Sequence, residues 1–116
     1  MLTVLIPAHN EAPYVNRTIR SVFSTASGDI EVIVVDQGGN GEIDARAKVL
    51  KPDRNVGERV AMNMAAKAAR GEWLFRIDAH CDFSPAGWDR MLCESTGPRD
   101  LSMAVLTDVR TPWDQA

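Results

Sequence analysis

Three stretches of the chain are apolar at most positions. They lack the alternation of apolar and polar residues that is typical of a strand with one face exposed to solvent. They are Thr3–Pro7, Ile30–Val35, which contains a single Glu, and Trp73–Ile77, which contains a single Arg. A short, nearly continuous apolar run is typical of a parallel strand that is buried on both faces. The pattern therefore predicts three strands of a covered parallel sheet.

The segments between these runs have helical spacing. After Pro13, which suits a first helical turn, one predicted helix places polar residues such as Arg17 opposite its apolar face. A second helix is predicted over about 57–69, and Gly71 is expected to stop it. The apolar stripe of the first helix consists of Val15, Ile19, Val22 and Phe23, and that of the second of Val60, Ala61, Met64, Ala65 and Ala68.

Three shorter elements complete the expected order: strands at Lys48–Leu50 and Met103–Thr107, and a helix at Trp88–Cys93. Strands that alternate with helices predict an α/β fold, here a Rossmann-like, mostly parallel sheet with helices on both faces. A chain of 116 residues is long enough for one such domain and too short for two. We therefore treat residues 1–116 as a single domain.

Polar residues follow each predicted main strand. His9, Asn10 and Glu11 follow the first, Asp36 follows the second, and a cluster that starts at Asp78 follows the third. In open α/β sheets, ligands bind beyond the carboxyl ends of the strands. The three strand ends therefore predict one binding rim, although ordinary loops are polar as well.

The segment Asp78–Asp82 reads Asp-Ala-His-Cys-Asp and enters directly from the third strand. In an extended continuation, Asp78, His80 and Asp82 lie on one side, with Ala79 on the other. One divalent cation could meet Asp78 and His80 together, and mixed oxygen and nitrogen ligands suit manganese better than calcium or structural zinc. The same residues could equally form a turn or a helix cap without any metal.

Other polar positions also allow two interpretations. Gly38–Gly41 is interpreted as a turn rather than as a phosphate loop, because it lacks the spacing of the known phosphate motifs. Asp36 could accept hydrogen bonds from a nucleobase or ribose, or it could cap the following turn. Asn55 and Gly57 open the second helix, where backbone amides favour an anion. Arg59 could reach a phosphate or remain solvated.

Composition excludes several classes of protein. Thirteen Lys and Arg against 16 Asp and Glu give a net charge of -3, so there is no basic footprint for nucleic acid or an anionic membrane. No run approaches the length of a membrane span, and no signal-peptide pattern opens the chain. Cys81 and Cys93 are expected to be reduced. The chain is expected to be soluble and cytoplasmic.

Taken together, these segments resemble a known family. Thr3–Glu11, Glu31–Asp36, the run Asn55-x-Gly57-x-x-x-Ala61-x-Asn63 and Asp78–His80 are similar to the nucleotide-sugar-binding half of family 2 type glycosyltransferases with the GT-A fold. The usual Asp-x-Asp metal motif of the family stands here as Asp-x-His. That variant, with Gly87 and Trp88 downstream, resembles the polypeptide N-acetylgalactosaminyltransferases.

The resemblance implies roles for individual residues. Asp36 would contact the base, while Asp78, Ala79 and His80 would address the metal and the diphosphate. The cofactors implied are a nucleotide-diphospho-sugar, of the uridine diphosphate type first, and a divalent metal, manganese first and magnesium second. The residues expected to border the nucleoside are Pro7, Ala8, Asn10 and Glu11.

The chain also departs from the family pattern. Gln37 stands where a second Asp is usual, and the acceptor-binding half that carries the catalytic base of inverting members is not recognised, so no residue is assigned as that base. We expect a metal-dependent glycosyltransferase domain with an unknown acceptor. The alternatives are a non-catalytic or split nucleotide-sugar module that needs a partner chain or self-association, and a nucleotidyltransferase-like domain.

Overall fold

Four strands and three helices build residues 1–97, which are the residues that the computed structural model describes. The predicted strand Met103–Thr107 lies outside them. Each predicted element within this range is present, with ends shifted by at most a few residues. The elements are β1 (Leu2–Ala8), α1 (Val15–Thr25), β2 (Ile30–Asp36), β3 (Lys48–Leu50), α2 (Glu58–Ala68), β4 (Trp73–Arg76) and α3 (Trp88–Ser95).

The four strands form one parallel sheet in the order β3-β2-β1-β4. β1 lies in the middle and pairs with β2 from Leu2 opposite Ile30 to Ala8 opposite Asp36. From β1 the chain moves to β2 and β3 on one side and then returns to β4 on the other side. Strand order therefore reverses between β1 and β4, and the carboxyl edge at this reversal is where α/β sheets bind ligands.

Helices cover both faces of the sheet, as the continuous apolar strands predicted. On one face, Val4 and Ile6 of β1 pack with Ile19 of α1 and with Trp88 of α3 in one core cluster. On the other face, Leu5 of β1 joins the second cluster, which also contains Ile33, Val35, Ala61 and Ala65. Successive side chains of β1 point to opposite faces of the sheet, so neighbouring residues enter different clusters.

The predicted stripe of α2 is wrong at one position. Ala61 and Ala65 are fully buried, whereas Val60 is 46% exposed. The small alanines let α2 lie close to the sheet, and Val60 lies one residue around the helix from that line of contact. Pro13 precedes α1 rather than entering it, in a turn where the Tyr14 N–H donates to the Glu11 carbonyl (2.8 Å).

Trp88 packs over the edge of the sheet and also borders a cavity. Its indole lies 4.6 Å from the Phe83 ring and 5.7 Å from the Phe75 ring, measured between centroids, and its Nε1–H donates to Thr25 Oγ1. It also lines a cavity beside β4. The tryptophan therefore anchors α3 over the sheet edge. Within residues 1–97, no helix is long and apolar enough to cross a bilayer.

Candidate functional site

The loops that follow β1, β2 and β4 are joined by backbone hydrogen bonds into one rim. The Gln37 N–H donates to the Ala8 carbonyl (2.9 Å), and the Asn10 N–H donates to the Gly38 carbonyl (2.9 Å). On the other side of β1, the Ile77 N–H donates to the Leu5 carbonyl (3.0 Å). The candidate residues after the three strands therefore share one edge, as their positions in the sequence predicted.

Asn40 links two of these loops through its side chain. Its amide Nδ2 donates to the Ala8 carbonyl (2.9 Å) and to Asp36 Oδ1 (2.6 Å), and its Oδ1 accepts the Glu11 N–H (2.9 Å). The residue is only 2% exposed. Sequence reasoning missed this role, because an Asn among glycines is ordinary turn composition.

Asp36 lies at the carboxyl end of β2 and is almost fully buried. Its Oδ1 accepts the Gly38 N–H (3.0 Å) as well as the Asn40 amide, while Oδ2 lies 3.8 Å from Lys51 Nζ. The turn-capping contact considered for this carboxylate is therefore present. Gly38 and Gly39 adopt positive φ in the bend that follows, a conformation that favours glycine.

Glu11 and His80 bring the end of β1 to the segment that follows β4. His80 Nδ1 lies 3.1 Å from Glu11 Oε1. An ionised carboxylate can only accept, so Nδ1 carries the hydrogen and Nε2 is left for another partner. Histidines that bind metals are commonly oriented in this way by a carboxylate on the second ring nitrogen.

Helix α1 holds the Asp78–Asp82 segment from its buried side. The Thr18 hydroxyl donates to the Ala79 carbonyl (2.9 Å) and accepts the Cys81 N–H (2.9 Å). Ala79 is buried, whereas the side chains of Asp78 and His80 are 46% and 57% exposed. Burial therefore alternates as expected, but Ala79 and His80 lie in a turn rather than in an extended continuation of β4. A threonine on the apolar face of α1 was the available signal for this anchor.

The segment lies in negative surroundings. The pKa of the Cys81 thiol is raised by burial first, and the charges of Asp78, Asp82 and Glu11 raise it further against an opposing backbone hydrogen bond. Arg17 pairs with Asp82 (2.7 Å), and Arg76 lies 3.7 Å from Asp78. Three carboxylates thus lie close enough to act on the Cys81 thiol, and arginines offset the charge of two of them, Asp78 and Asp82.

The donor set also bears on which ion would fit. Within residues 1–97, no group of three or more His, Cys, Asp and Glu side chains is arranged to hold a metal. A pair such as Asp78 and His80 offers one carboxylate and one imidazole, both accessible to solvent. Such a pair fits a borderline divalent ion whose remaining positions are filled by water or phosphate oxygens.

The approach to α2 is held together by side chains. The Val56 N–H donates to Gln37 Oε1 (2.8 Å), and the Gly57 N–H donates to Asn55 Oδ1 (3.0 Å). Gln37, which stands where the resembled family often has a second Asp, therefore supports this loop. Arg59 is exposed in the first turn of α2, which fits the solvated interpretation.

The chain is similar to known glycosyltransferases in sequence. It is 30% identical over 105 residues to the uncharacterized glycosyltransferase EpsJ of Bacillus subtilis, a match that covers 82% of this chain and 30% of that protein. It is 28% identical over 121 residues to polypeptide N-acetylgalactosaminyltransferase 15 of Mus musculus, covering 92% of this chain and 19% of that protein. The chain thus spans less than a third of the length of these two relatives.

Solved structures show the same fold. The mannosyltransferase PcManGT from Pyrobaculum calidifontis, in complex with GDP-Man and Mn2+, superposes with a TM-score of 0.65 at 21% identity, over 73% of this chain and 29% of that one. S. aureus TarS in complex with UDP-GlcNAc superposes with a TM-score of 0.60 at 20% identity, over 81% of this chain and 30% of that one. Residues 3–110 match the family described as Glycosyl transferase family 2, and the chain therefore belongs to that family of GT-A fold glycosyltransferases.

Proposed function

We propose that this chain forms the donor-binding part of a metal-dependent glycosyltransferase. It would bind a nucleotide-diphospho-sugar, of the uridine diphosphate type first, together with a divalent metal, manganese first and magnesium second. The observation that carries the proposal is the contact between Glu11 and His80 at the carboxyl edge of the sheet. Asp78 lies two residues before His80, and β2, which ends in Asp36, pairs with β1, the strand that precedes Glu11. PcManGT and TarS, which share the fold, were solved with GDP-Man and Mn2+ and with UDP-GlcNAc.

Each part of the rim has a role in this proposal. Asp36 contacts the nucleoside, and Asp78 and His80 hold the metal and with it the diphosphate. Ala79, between the two ligands, keeps their side chains on the open side because its own side chain is buried. The other residues assigned to the donor are Pro7, Ala8, Asn10, Glu11, Asn55, Gly57 and Arg59.

The chemistry follows from charge. A cation held by Asp78 and His80 would neutralise negative charge on the diphosphate that leaves when its bond to the anomeric carbon breaks and an acceptor hydroxyl takes its place. The protein residues would orient the donor: Glu11 accepts the hydrogen of His80 Nδ1, which leaves Nε2 as the ring nitrogen that could bind the metal. Among residues 1–97, the structure points to none as the base that would accept the acceptor's proton.

The proposal is tested by calorimetric titration of the protein with uridine diphosphate and guanosine diphosphate, with manganese or with chelator. Two protein ligands make a weak site that phosphates must complete, so metal and diphosphate are expected to bind synergistically. Asp78→Asn should remove the synergy, whereas Asp53→Asn, a change at an exposed carboxylate elsewhere, should preserve it. Equal diphosphate affinity in manganese and in chelator would overturn the metal assignment.

Transfer is a separate question from binding. Efficient transfer requires an acceptor held in line with the anomeric carbon. We therefore expect this chain by itself to bind a nucleotide sugar and to hydrolyse it slowly, and to transfer poorly without a partner chain or self-association. A panel of uridine and guanosine diphospho-sugars with the purified monomer tests this expectation. Binding with neither hydrolysis nor transfer would instead favour the non-catalytic module, and robust transfer would contradict the need for a partner.

A further inference from the structure

In addition to the backbone hydrogen bonds between their loops, the two halves of the proposed donor site are connected by one buried side chain. Asn40 contacts Asp36 at the end of β2 and the backbone of Glu11 after β1, and Glu11 in turn contacts His80 after β4. The path from Asp36 to His80 thus runs through Asn40 and Glu11, and its last contact joins two residues that lie 69 positions apart in the sequence. The family resemblance assigned no role to Asn40.

The orientation of the Asn40 amide is determined by its partners. The Ala8 carbonyl and the Asp36 carboxylate can only accept, and the Glu11 N–H can only donate. An amide that offers two donors on nitrogen and acceptor capacity on oxygen satisfies all three groups, and the flipped amide satisfies none. Because the residue is buried, water cannot readily replace these bonds.

We propose that Asn40 is a positioning residue that holds both halves of the donor site, setting the Asp36 carboxylate through Nδ2 and the Glu11–His80 pair through Oδ1. This inference rests on the proposed function. It extends that function by assigning to one residue the relative position of the nucleoside contact and the metal ligand. The amide nitrogen contacts Asp36 and the amide oxygen contacts Glu11, so a substitution can change one contact and keep the other.

Two variants distinguish this role from a purely structural one. Asn40→Ala removes both sides of the amide and should weaken nucleoside and metal binding together. Asn40→Asp at pH 8 keeps an oxygen that can accept the Glu11 N–H but sets a second carboxylate against Asp36, so it should weaken nucleoside binding alone. The expected losses are about tenfold or more, the size found when groups that support a ligand are removed.

A matched control is available on α1, where Asn16 contacts the same loop after β2. Asn16 donates from Nδ2 to the Glu42 carbonyl (2.8 Å) and accepts the Asp44 N–H at Oδ1 (2.8 Å), so it also bridges α1 to the chain after β2 through both ends of its amide. Neither Asp36 nor Glu11 is among these partners. Asn16→Ala should therefore lose similar hydrogen bonds and leave both affinities unchanged.

The experiment measures uridine and guanosine binding by chemical-shift titration, and Mn2+ binding by the electron paramagnetic resonance signal of the free ion. Nucleosides are used because they have no phosphates to bridge to the metal. The same amide spectra report whether each variant is folded, and if one variant fails to fold, the other carries the test.

Selective loss of nucleoside binding in Asn40→Asp, or joint loss in Asn40→Ala with Asn16→Ala intact, supports the proposal. Wild-type affinities in either folded variant would overturn it, as would equal losses in Asn40→Asp and Asn16→Ala. If the wild-type protein binds neither uridine diphosphate nor guanosine diphosphate in the presence of Mn2+, the proposed function itself fails, and the inference fails with it. If it binds a diphosphate with Mn2+ but binds neither the nucleosides nor Mn2+ separately, the inference alone fails. These two results are distinguishable because both are seen before any substitution is made.

Discussion

Asp89, at the scale of a single residue, shows how a buried carboxylate stabilises this fold away from the rim. It belongs to α3 and accepts hydrogen bonds from Ser27 N–H (2.8 Å), Ser27 Oγ (3.1 Å) and Gly28 N–H (2.9 Å). Burial raises the pKa of this carboxyl, but the hydrogen bonds from Ser27, Gly28 and Arg90 outweigh burial and lower it below its ordinary value of 3.8. The charged form therefore ties α3 to the loop before β2.

Asp89→Asn should destabilise the protein by about 1.5–3 kcal/mol at neutral pH, the contribution of hydrogen bonds to a charged group. Since the folded-state pKa is lowered, this stabilisation is present above the ordinary pKa of 3.8 and is lost as the pH falls through the folded-state pKa. Urea unfolding of both proteins between neutral and acidic pH measures the difference, which should shrink toward acid. Asp53→Asn is the exposed control, and a constant difference across this range would contradict the assignment.

At the scale of elements, α1 holds the segment after β4 from its buried side through the hydroxyl of Thr18. Thr18 is 1% exposed, and it both donates to Ala79 and accepts from Cys81. Helix α1 and the end of β4 are thus connected across the core. The positions of the exposed Asp78 and His80 therefore depend on Thr18, which lies far from them in the sequence. The rim is therefore an assembly of elements rather than a loop motif.

Thr18→Val keeps the shape of the side chain and removes these bonds, so it should destabilise the fold by roughly 1–3 kcal/mol and weaken Mn2+ binding. Thr25→Val on the same helix removes a hydroxyl that bonds Trp88 Nε1 and the Ser21 carbonyl. It should cost similar stability while leaving Mn2+ affinity unchanged. Unfolding and Mn2+ titration of both variants make the comparison, and unaltered Mn2+ binding in Thr18→Val would show that the anchor does not position the ligands.

The connection from α2 to β4 gives a second prediction at this scale. A Cβ at Gly71 would lie 2.5 Å from Thr3 Oγ1 and 2.8 Å from Thr3 N and Met1 O, so the chain can pass β1 this closely only without a side chain. Gly71→Ala should destabilise by about 1–3 kcal/mol, the usual cost of overpacking. At Gly28 the nearest atom would be 3.5 Å away, so Gly28→Ala should have little effect. Thermal unfolding compares the two, and equal melting temperatures would contradict the close approach.

At the scale of the whole molecule, ligand binding and folding are linked. Ligands that bind only the folded chain stabilise it by an amount that grows with the logarithm of the ligand concentration above the dissociation constant, about 2.7 kcal/mol at a hundred times that constant. The proposed site joins β1, β2 and β4, so ligand binding should stabilise the sheet as a unit.

Uridine diphosphate with manganese should therefore raise the melting temperature by more than the sum of the two separate effects, because each completes the other's site. Chelator should abolish the excess, and Asp78→Asn should lack it. Scanning calorimetry measures the melting temperature with uridine diphosphate alone, with manganese alone and with both together. A strictly additive shift would mean that diphosphate and metal bind independently.

The fold class, the element order and the common edge of the site follow from the sequence. Strands buried on both faces must be apolar throughout, and in parallel strands the polar residues that follow them must meet at one edge. Pro7, Glu11, Asp36 and Asp78 could therefore be placed on the rim before any contact was known, and residues 3–110 belong to the family that their motifs resembled.

Tertiary structure alone decided which rim residues contact one another. Glu11 and His80 lie 69 positions apart in the sequence, and Asn40 lies 29 positions from Glu11, so their contacts depend on strand order and register rather than on local spacing. The exposure of Val60 likewise depends on how closely α2 packs against the sheet. Local sequence specifies which groups are available, and packing of distant elements determines their partners.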